Sequence, residues 1–489
     1  MVFQEHARKD RFKKLKQEET MKKLWIVLLS VALIMAFTMP VCAADVKFSG
    51  SYTAQGIYDN NRALLKDGGA SVANIWQRLR VQTDFQIQEG LKLTTRFDAM
   101  EKIWGASRSA TPNATNSGGN DQESENIKFE HVYVSANLWG GLLRVGYQQQ
   151  SVFGTSFGDA GDTTYGPRIR YDYVIGPWTL IALWDKIEGT QYYSSLGPSG
   201  NAGVNGSLYQ TDATNEKYVG AFMYNWSKGN AGLLFYYYLK SSTANFAGGP
   251  SSADTGYKGQ YWIFDPYFKA QLGPVYLEGE VLYATGKVKK YEVSGGGTTP
   301  ASPDVTVDAL AAYLSGTIDF APMYAGLTLI YVAGDDKGTV DKDENGGLSG
   351  GPDFNPCLLL FNYDLGRWNG SLGSGSGAAG QSGGIVNAAM AQIFVGVKPI
   401  PKLDVKASYT IAQADKDGYS SNAAYVAGGW QSKNYGNELD ITATYKIYDN
   451  LSYMVGFAYL WAGDYFKGTS STAAVDNDYL VTHKLTLTF

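Results

Sequence analysis

The chain is poor in the residues that most protein chemistry needs. Its 489 residues hold two cysteines, three histidines and fifteen prolines. Two thiols, Cys42 and Cys357, cannot build a disulfide framework or a cysteine-rich zinc site. Histidines at 6, 131 and 483 leave no HExxH pair, and no Ser/His/Asp grouping, CxxC or phosphate-binding glycine loop stands in strand–turn–helix context. Enzymatic catalysis therefore has no support. Lys and Arg number 41 against 46 Asp and Glu, so the chain lacks the basic excess of a nucleic-acid binder. Beyond residue 43 no stretch reaches the roughly 18 apolar residues of a membrane helix. What is abundant is glycine (58), tyrosine (35) and tryptophan (11), a composition suited to glycine-rich loops and aromatic girdles.

Lys22 and Lys23 precede an apolar run from Leu24 to Phe37, and Val41-Cys42-Ala43 supplies small residues before Ala44-Asp45. This is the pattern of a secretory signal peptide over 21–43, too short for a membrane span. Residues 1–20 form a charged extension ahead of it, with Met21 read as the natural start. Val41 is too bulky to precede a lipid-modified Cys42. The remaining chain, 44–489, reads as one domain with 33 basic and 42 acidic residues, a net charge of −9.

From Val46 onward, amphipathic strands are joined alternately by tight turns and long polar loops. Ile75, Gln77, Leu79, Val81, Thr83, Phe85 and Ile87 alternate with Trp76, Arg78, Arg80, Gln82, Asp84 and Gln86, so charge occupies one face only. Leu91, Leu93 and Phe97 oppose Lys92, Arg96 and Asp98, and Leu439, Ile441, Ala443, Tyr445 and Ile447 oppose Asp440, Thr442, Thr444 and Lys446. Eight tight turns, among them Glu89-Gly90, Gly140-Gly141, Gly176-Pro177 and Tyr448-Asp449-Asn450, and nine long loops give eighteen strands, with sixteen as the alternative. Both termini fall on the tight-turn side. The expected fold class is all-β: a transmembrane antiparallel up-and-down β-barrel with long extracellular loops and short periplasmic turns. A soluble barrel could invert the alternation, but eighteen strands enclose a lumen too wide for side chains to fill.

The chain ends on Tyr479-Leu480-Val481-Thr482-His483-Lys484-Leu485-Thr486-Leu487-Thr488-Phe489, an alternating strand with a terminal aromatic. It resembles the closing strand of a bacterial outer-membrane barrel, in which the final Phe489 serves as an assembly signal. Val46–Gly56, Leu142–Gln148 and Arg168–Tyr173 likewise resemble the Gram-negative trimeric diffusion porins, and in length and style the chain looks closest to the homotrimeric porins of sulfate-reducing bacteria. Such porins usually have sixteen strands. The resemblance implies a homotrimer in the outer membrane of a Gram-negative bacterium, handled by the barrel-assembly machinery and surrounded by lipid. It also implies a water-filled channel for small hydrophilic solutes and ions, narrowed by an inward-folded third loop.

Arg78, Arg80, Arg96, Arg144, Arg168 and Arg170 all fall on the expected lumen face, forming a basic wall, or one paired with Asp84, Asp98 and Asp172. The third loop carries Asp159 and Asp162 and could oppose acid to base. Glu278 and Glu280 face the lumen from the far side and argue against a uniformly basic channel. The expectation is a weakly selective pore with local preference for small anions; the alternative is a substrate-specific channel with a saturable site for an oligosaccharide or small anion, lined by Tyr236 and Tyr238. Asp341, Asp343 and Asn345 match a calcium-loop spacing, but position twelve is Pro352 instead of glutamate. No cofactor beyond a possible calcium is expected. His131 reads as a pore-wall residue, and His483, alone on an apolar outward face, calls for a subunit contact or a bulge.

Overall fold

The computed structural model describes residues 45–66, 69–105, 127–158, 165–189, 214–242, 257–291, 303–336, 339, 341–351, 353–373, 381, 383–416 and 432–489. Readings of 1–43 and of Asp159 and Asp162 lie outside these residues. The first half of the wall comprises β1 (Asp45–Asp59), β2 (Val72–Gln88), β3 (Leu91–Ile103), β4 (Ile127–Leu138), β5 (Gly141–Gln149), β6 (Tyr165–Ile175), β7 (Trp178–Gly189), β8 (Thr214–Trp226) and β9 (Gly229–Ser242). The second half comprises β10 (Tyr257–Leu272), β11 (Val275–Tyr291), β12 (Val305–Phe320), β13 (Met323–Val332), β15 (Ala388–Ile400), β16 (Leu403–Gln413), β17 (Asn434–Tyr448), β18 (Leu451–Ala462) and β19 (Asp478–Thr488). Among the described residues these eighteen long strands pair antiparallel, each with its sequence neighbour in the wall. The two-residue β14 (Lys342–Asp343) is a side branch of the longest loop, pairing parallel with Thr306 and Val307.

Closure comes from β19 against β1, in unbroken register from Ser51 opposite Thr488 to Asp59 opposite Leu480. Phe489 continues the ladder, exchanging two backbone hydrogen bonds with Gly50 at 2.8 and 3.0 Å. A closed sheet satisfies every internal backbone group and has no edge, which is what crossing lipid requires of strands. The tight turns all lie at one end. Gly90 (φ 75°) and Gly273 (φ 64°) occupy left-handed backbone there, which a side chain would strain.

The outer face is apolar: Val145, Ile169, Leu180, Leu314, Leu327, Ile393, Val395 and Ile441 are all exposed. Trp184, Tyr218, Tyr237 and Trp262 stand side by side across four strands, with Tyr237 and Trp262 rings 4.5 Å apart. Trp178, Tyr224 and Trp226 form a second cluster at the tight-turn end. An exposed apolar band between aromatic belts, with an even strand count and long loops at one end only, defines an outer-membrane β-barrel.

His483 needs no bulge, because neither ladder of β19 shifts register near it. Its ring lies 5.8 Å from that of Tyr453 and covers Gly56, where an added Cβ would fall 2.1 Å from Nε2. The missing side chain of Gly56 makes a shelf on the outer wall for the imidazole.

Candidate functional site

Among the described residues, the loops after β5 and β13 turn into the lumen. The shorter follows β5, and its root is held by Arg168 at the start of β6. That guanidinium donates to the carbonyl oxygens of Gln149 and Ser151 at 2.9 Å and of Gln150 at 2.6 Å, and grips Asp185 with Nε at 2.6 Å and Nη2 at 2.9 Å. Lys217 reaches the same carboxylate at 2.9 Å. The loop tip sits on Glu280, whose Oε2 accepts from Thr155 N–H (3.1 Å), Thr155 Oγ1 (2.7 Å) and Phe157 N–H (2.7 Å), while Oε1 accepts from Gly158 N–H (2.7 Å). Phe153 packs on Tyr267 at 5.3 Å.

The longer loop, between β13 and β15, enters beside it and is tied to it by Gly351 N–H donating to Ser156 O at 3.0 Å. Glu438 on β17 is the corresponding socket: its two oxygens accept Leu359 N–H and Leu360 N–H, both at 2.7 Å. Phe361 N–H donates to Gln381 Oε1 at 2.7 Å. Asn362 then caps a helix, α1 (Tyr363–Asn369), by accepting from Leu365 N–H. The helix lays Trp368 flat on Trp76 of β2, with centroids 4.9 Å apart and planes at 12°, and Arg367 meets Glu101 of β3 at 2.9 Å. Leu359, Leu360, Phe361, Leu372 and Ile385 are buried with wall residues such as Leu460 and Leu480. An apolar core has been built inside a barrel, in its loop-side half.

Toward the tight-turn end the wall is charged and paired. Arg80 binds Asp98 through two contacts of 2.7 Å and also reaches Glu130 at 3.2 Å. Arg96 takes Glu130 at 2.9 Å and lies over the Tyr165 ring. Arg144 and Arg170 share Asp172; nearer the loop end, Arg78 joins Arg367 on Glu101 at 3.5 Å. Asp84 takes Lys92 and Thr94, not an arginine. Beside this band a recess of about 310 Å³ is lined by Gln86, Lys92, Tyr133, Ser135, Asn137 and Arg144.

Several expected residues do different work from open-lumen lining. Arg168 and Glu280 are each only 2 % exposed, because they hold the inward loop at residues 149–151 and 155–158. Glu278 accepts from Tyr313 and Tyr276 hydroxyls at 2.6 and 2.9 Å. Tyr236 is buried and donates to Asp265, and Tyr238 stacks on Tyr261 with planes at 2°, so this tyrosine pair is core. Asp343 Oδ1 accepts from Asn345 and Gly346 N–H, and Asn345 Oδ1 from Gly347 N–H; these hydrogen bonds stabilise the turn. Burial pushes the Cys357 thiol up from its ordinary value, leaving it a neutral donor to Thr410 Oγ1 at 3.4 Å.

Glu130 was invisible to strict alternation. Phe129 points outward, and then Glu130 and His131 both turn inward, because the β3–β4 register slips between Arg96 and Phe97. The available signal was a polar pair interrupting an apolar–polar alternation, the mark of a bulge.

In sequence the chain matches no protein-family model and no curated protein. In fold it is similar to OccAB1 of Acinetobacter baumannii, at 13 % identity and TM-score 0.48 over 91 % of this chain and 97 % of that one. It is also similar to the outer-membrane protein opdK of Pseudomonas aeruginosa (11 % identity, TM-score 0.46, 91 % and 99 % covered). A third is the outer-membrane channel DcaP of Acinetobacter baumannii (13 % identity, TM-score 0.40, 91 % and 98 % covered).

Proposed function

We propose that the chain forms a channel in the outer membrane of a Gram-negative bacterium through which small hydrophilic solutes and ions diffuse. The observation that carries this reading is an apolar exterior around a lumen whose tight-turn half is lined by the charged band of β2 to β6. Two inward loops supply the constriction. Ion pairs on the wall order water across the lumen and disfavour apolar solutes that must displace it. Because each arginine has a carboxylate partner, ion selectivity is weak, with a local preference for small anions.

Assembly as a homotrimer goes with this reading. It is supported by an outward recess of about 1020 Å³ across β10 to β17, floored by Gly279, Ala312, Ala389 and Ala391 and walled by Val281, Leu314 and Ile411, where another copy can approach closely. Phe489, exposed at the barrel seam, serves as the assembly signal.

Planar-bilayer recording tests the channel: stepwise conductance is expected, with reversal potentials near zero across a salt gradient. No conductance from correctly folded protein overturns the reading, and so does a strong cation preference unchanged by Ala at 78, 144 and 170. A second reading, a substrate-specific channel, is favoured by the extent of the loop core and by the polar recess at Lys92 and Arg144. Solute uptake that saturates in liposome swelling selects it; linear uptake selects general diffusion.

A further inference from the structure

Where the long loop meets β17, three potential metal ligands converge away from the charged band. Cys357 is 2 %, Glu438 0 % and Asp440 4 % exposed, and one ligand atom from each lies within 4.8 Å of the other two. The carboxylates sit on alternate residues of one strand and face the same side, and the thiol comes from the loop that covers them. Glu438 gives each oxygen to one backbone N–H, which leaves each a second lone pair. Asp440 is different. Its Oδ2 has a long contact with Ser408 Oγ at 3.5 Å, and its Oδ1 is buried with no hydrogen-bond partner, although the Leu358 backbone N–H and the Glu438 carboxyl also approach the group. A buried carboxylate with one oxygen left without a hydrogen bond is unfavourable unless a proton or a cation reaches it.

Lys406 faces the cluster, but its ammonium is set over the Phe394 ring at 4.5 Å. We propose that Cys357 Sγ, Glu438 and Asp440 bind one divalent cation of the zinc class, which fastens the inward loop to β17. Thiolate with carboxylate favours zinc, cobalt or cadmium over calcium and magnesium. On binding, the metal's bonds to sulfur and to the carboxylates form, and the thiol proton and the proton held between Glu438 and Asp440 leave to solvent. The thiolate and two carboxylates then balance the cation together with the Lys406 ammonium. Around the sulfur, Gln392 donates to Thr410 Oγ1 at 2.9 Å and to Pro356 O at 2.8 Å, a frame that orients Cys357. The ligands are covered, so the cation enters as the barrel folds.

The test uses the full chain refolded into detergent with zinc or with EDTA, desalted and assayed for metal. Folding is verified by heat-modifiable migration. Wild type is expected to retain about one zinc per chain, and Cys357→Ser and Asp440→Asn below roughly a tenth of that. Refolding with cobalt is expected to give a near-ultraviolet thiolate-to-metal band that Cys357→Ser abolishes. Folded wild type holding no more zinc than Cys357→Ser overturns the proposal and leaves a proton shared by the two carboxyls; a cobalt spectrum unchanged by Cys357→Ser overturns it as well. Conductance of the EDTA-refolded protein is read separately, so failure here does not bear on the channel.

Discussion

Glu280 shows how a single carboxylate can position a loop. Four donors converge on it, three from the backbone, and hydrogen bonds to a charged group contribute about 1.5–3 kcal/mol each. Glu280→Gln turns one oxygen into an amide that faces a backbone N–H. The expected outcome is an inward loop less stable by about 1–3 kcal/mol, seen as added gating noise in single-channel records while the barrel itself stays heat-modifiable. Asp172 is a different kind of position, since Arg144 and Arg170 both depend on it. Asp172→Asn leaves two guanidiniums without a counter-charge in the lumen, and the reversal potential should move toward anion preference. An unchanged potential places those arginines off the ion path. On the outer wall, Gly56→Ala drives a methyl into His483; poor folding is expected, and adding His483→Ala should restore it.

At the scale of elements, the helix α1 and the segment before it behave as an internal core layer. Their apolar side chains pack on the wall as in a soluble domain, so the loop's stability is separable from that of the barrel, whose ladder is complete without it. Trp368→Ala removes a stacked aromatic, a change that costs about 3–5 kcal/mol in a packed core. The loss should appear as chymotryptic cleavage between 353 and 373 in an otherwise intact barrel, together with larger conductance steps. Cleavage without a conductance change would mean that this segment does not narrow the path. The bulge in β4 acts at the same scale: one slipped residue brings Glu130 beside Arg80 and Arg96 and completes the charged band.

For the whole molecule, two environments have exchanged places. The exterior is apolar because it meets lipid, and the interior is polar at one end because it meets water. The other end of the interior is a hydrophobic core because the loops fill it. Charge on the lumen wall is nearly self-neutralised, so the net charge of −9 over residues 44–489 says little about what passes. Selectivity is decided by which pairs meet the open path, and the Asp172 experiment reads that directly.

Strand number, closure and the inward placement of Arg78, Arg80, Arg96, Arg144 and Arg170 were legible in the sequence, because side chains alternate with period two and glycine, proline or an Asp-Asn pair marks each tight turn. Phe489 at the seam was legible for the same reason. Asp98 and Asp172 were legible as partners; Glu101 and Glu130 were not, since their part depends on cross-strand register and on the bulge at Glu130. Nor were the sockets at Glu280 and Glu438, or the burial of Arg168: their partners lie 122 to 125, 78 to 79 and 17 to 19 residues away. Period and turn chemistry are local and survive in one dimension. Where a loop comes to rest inside a barrel is set by contacts that exist only once the wall has closed.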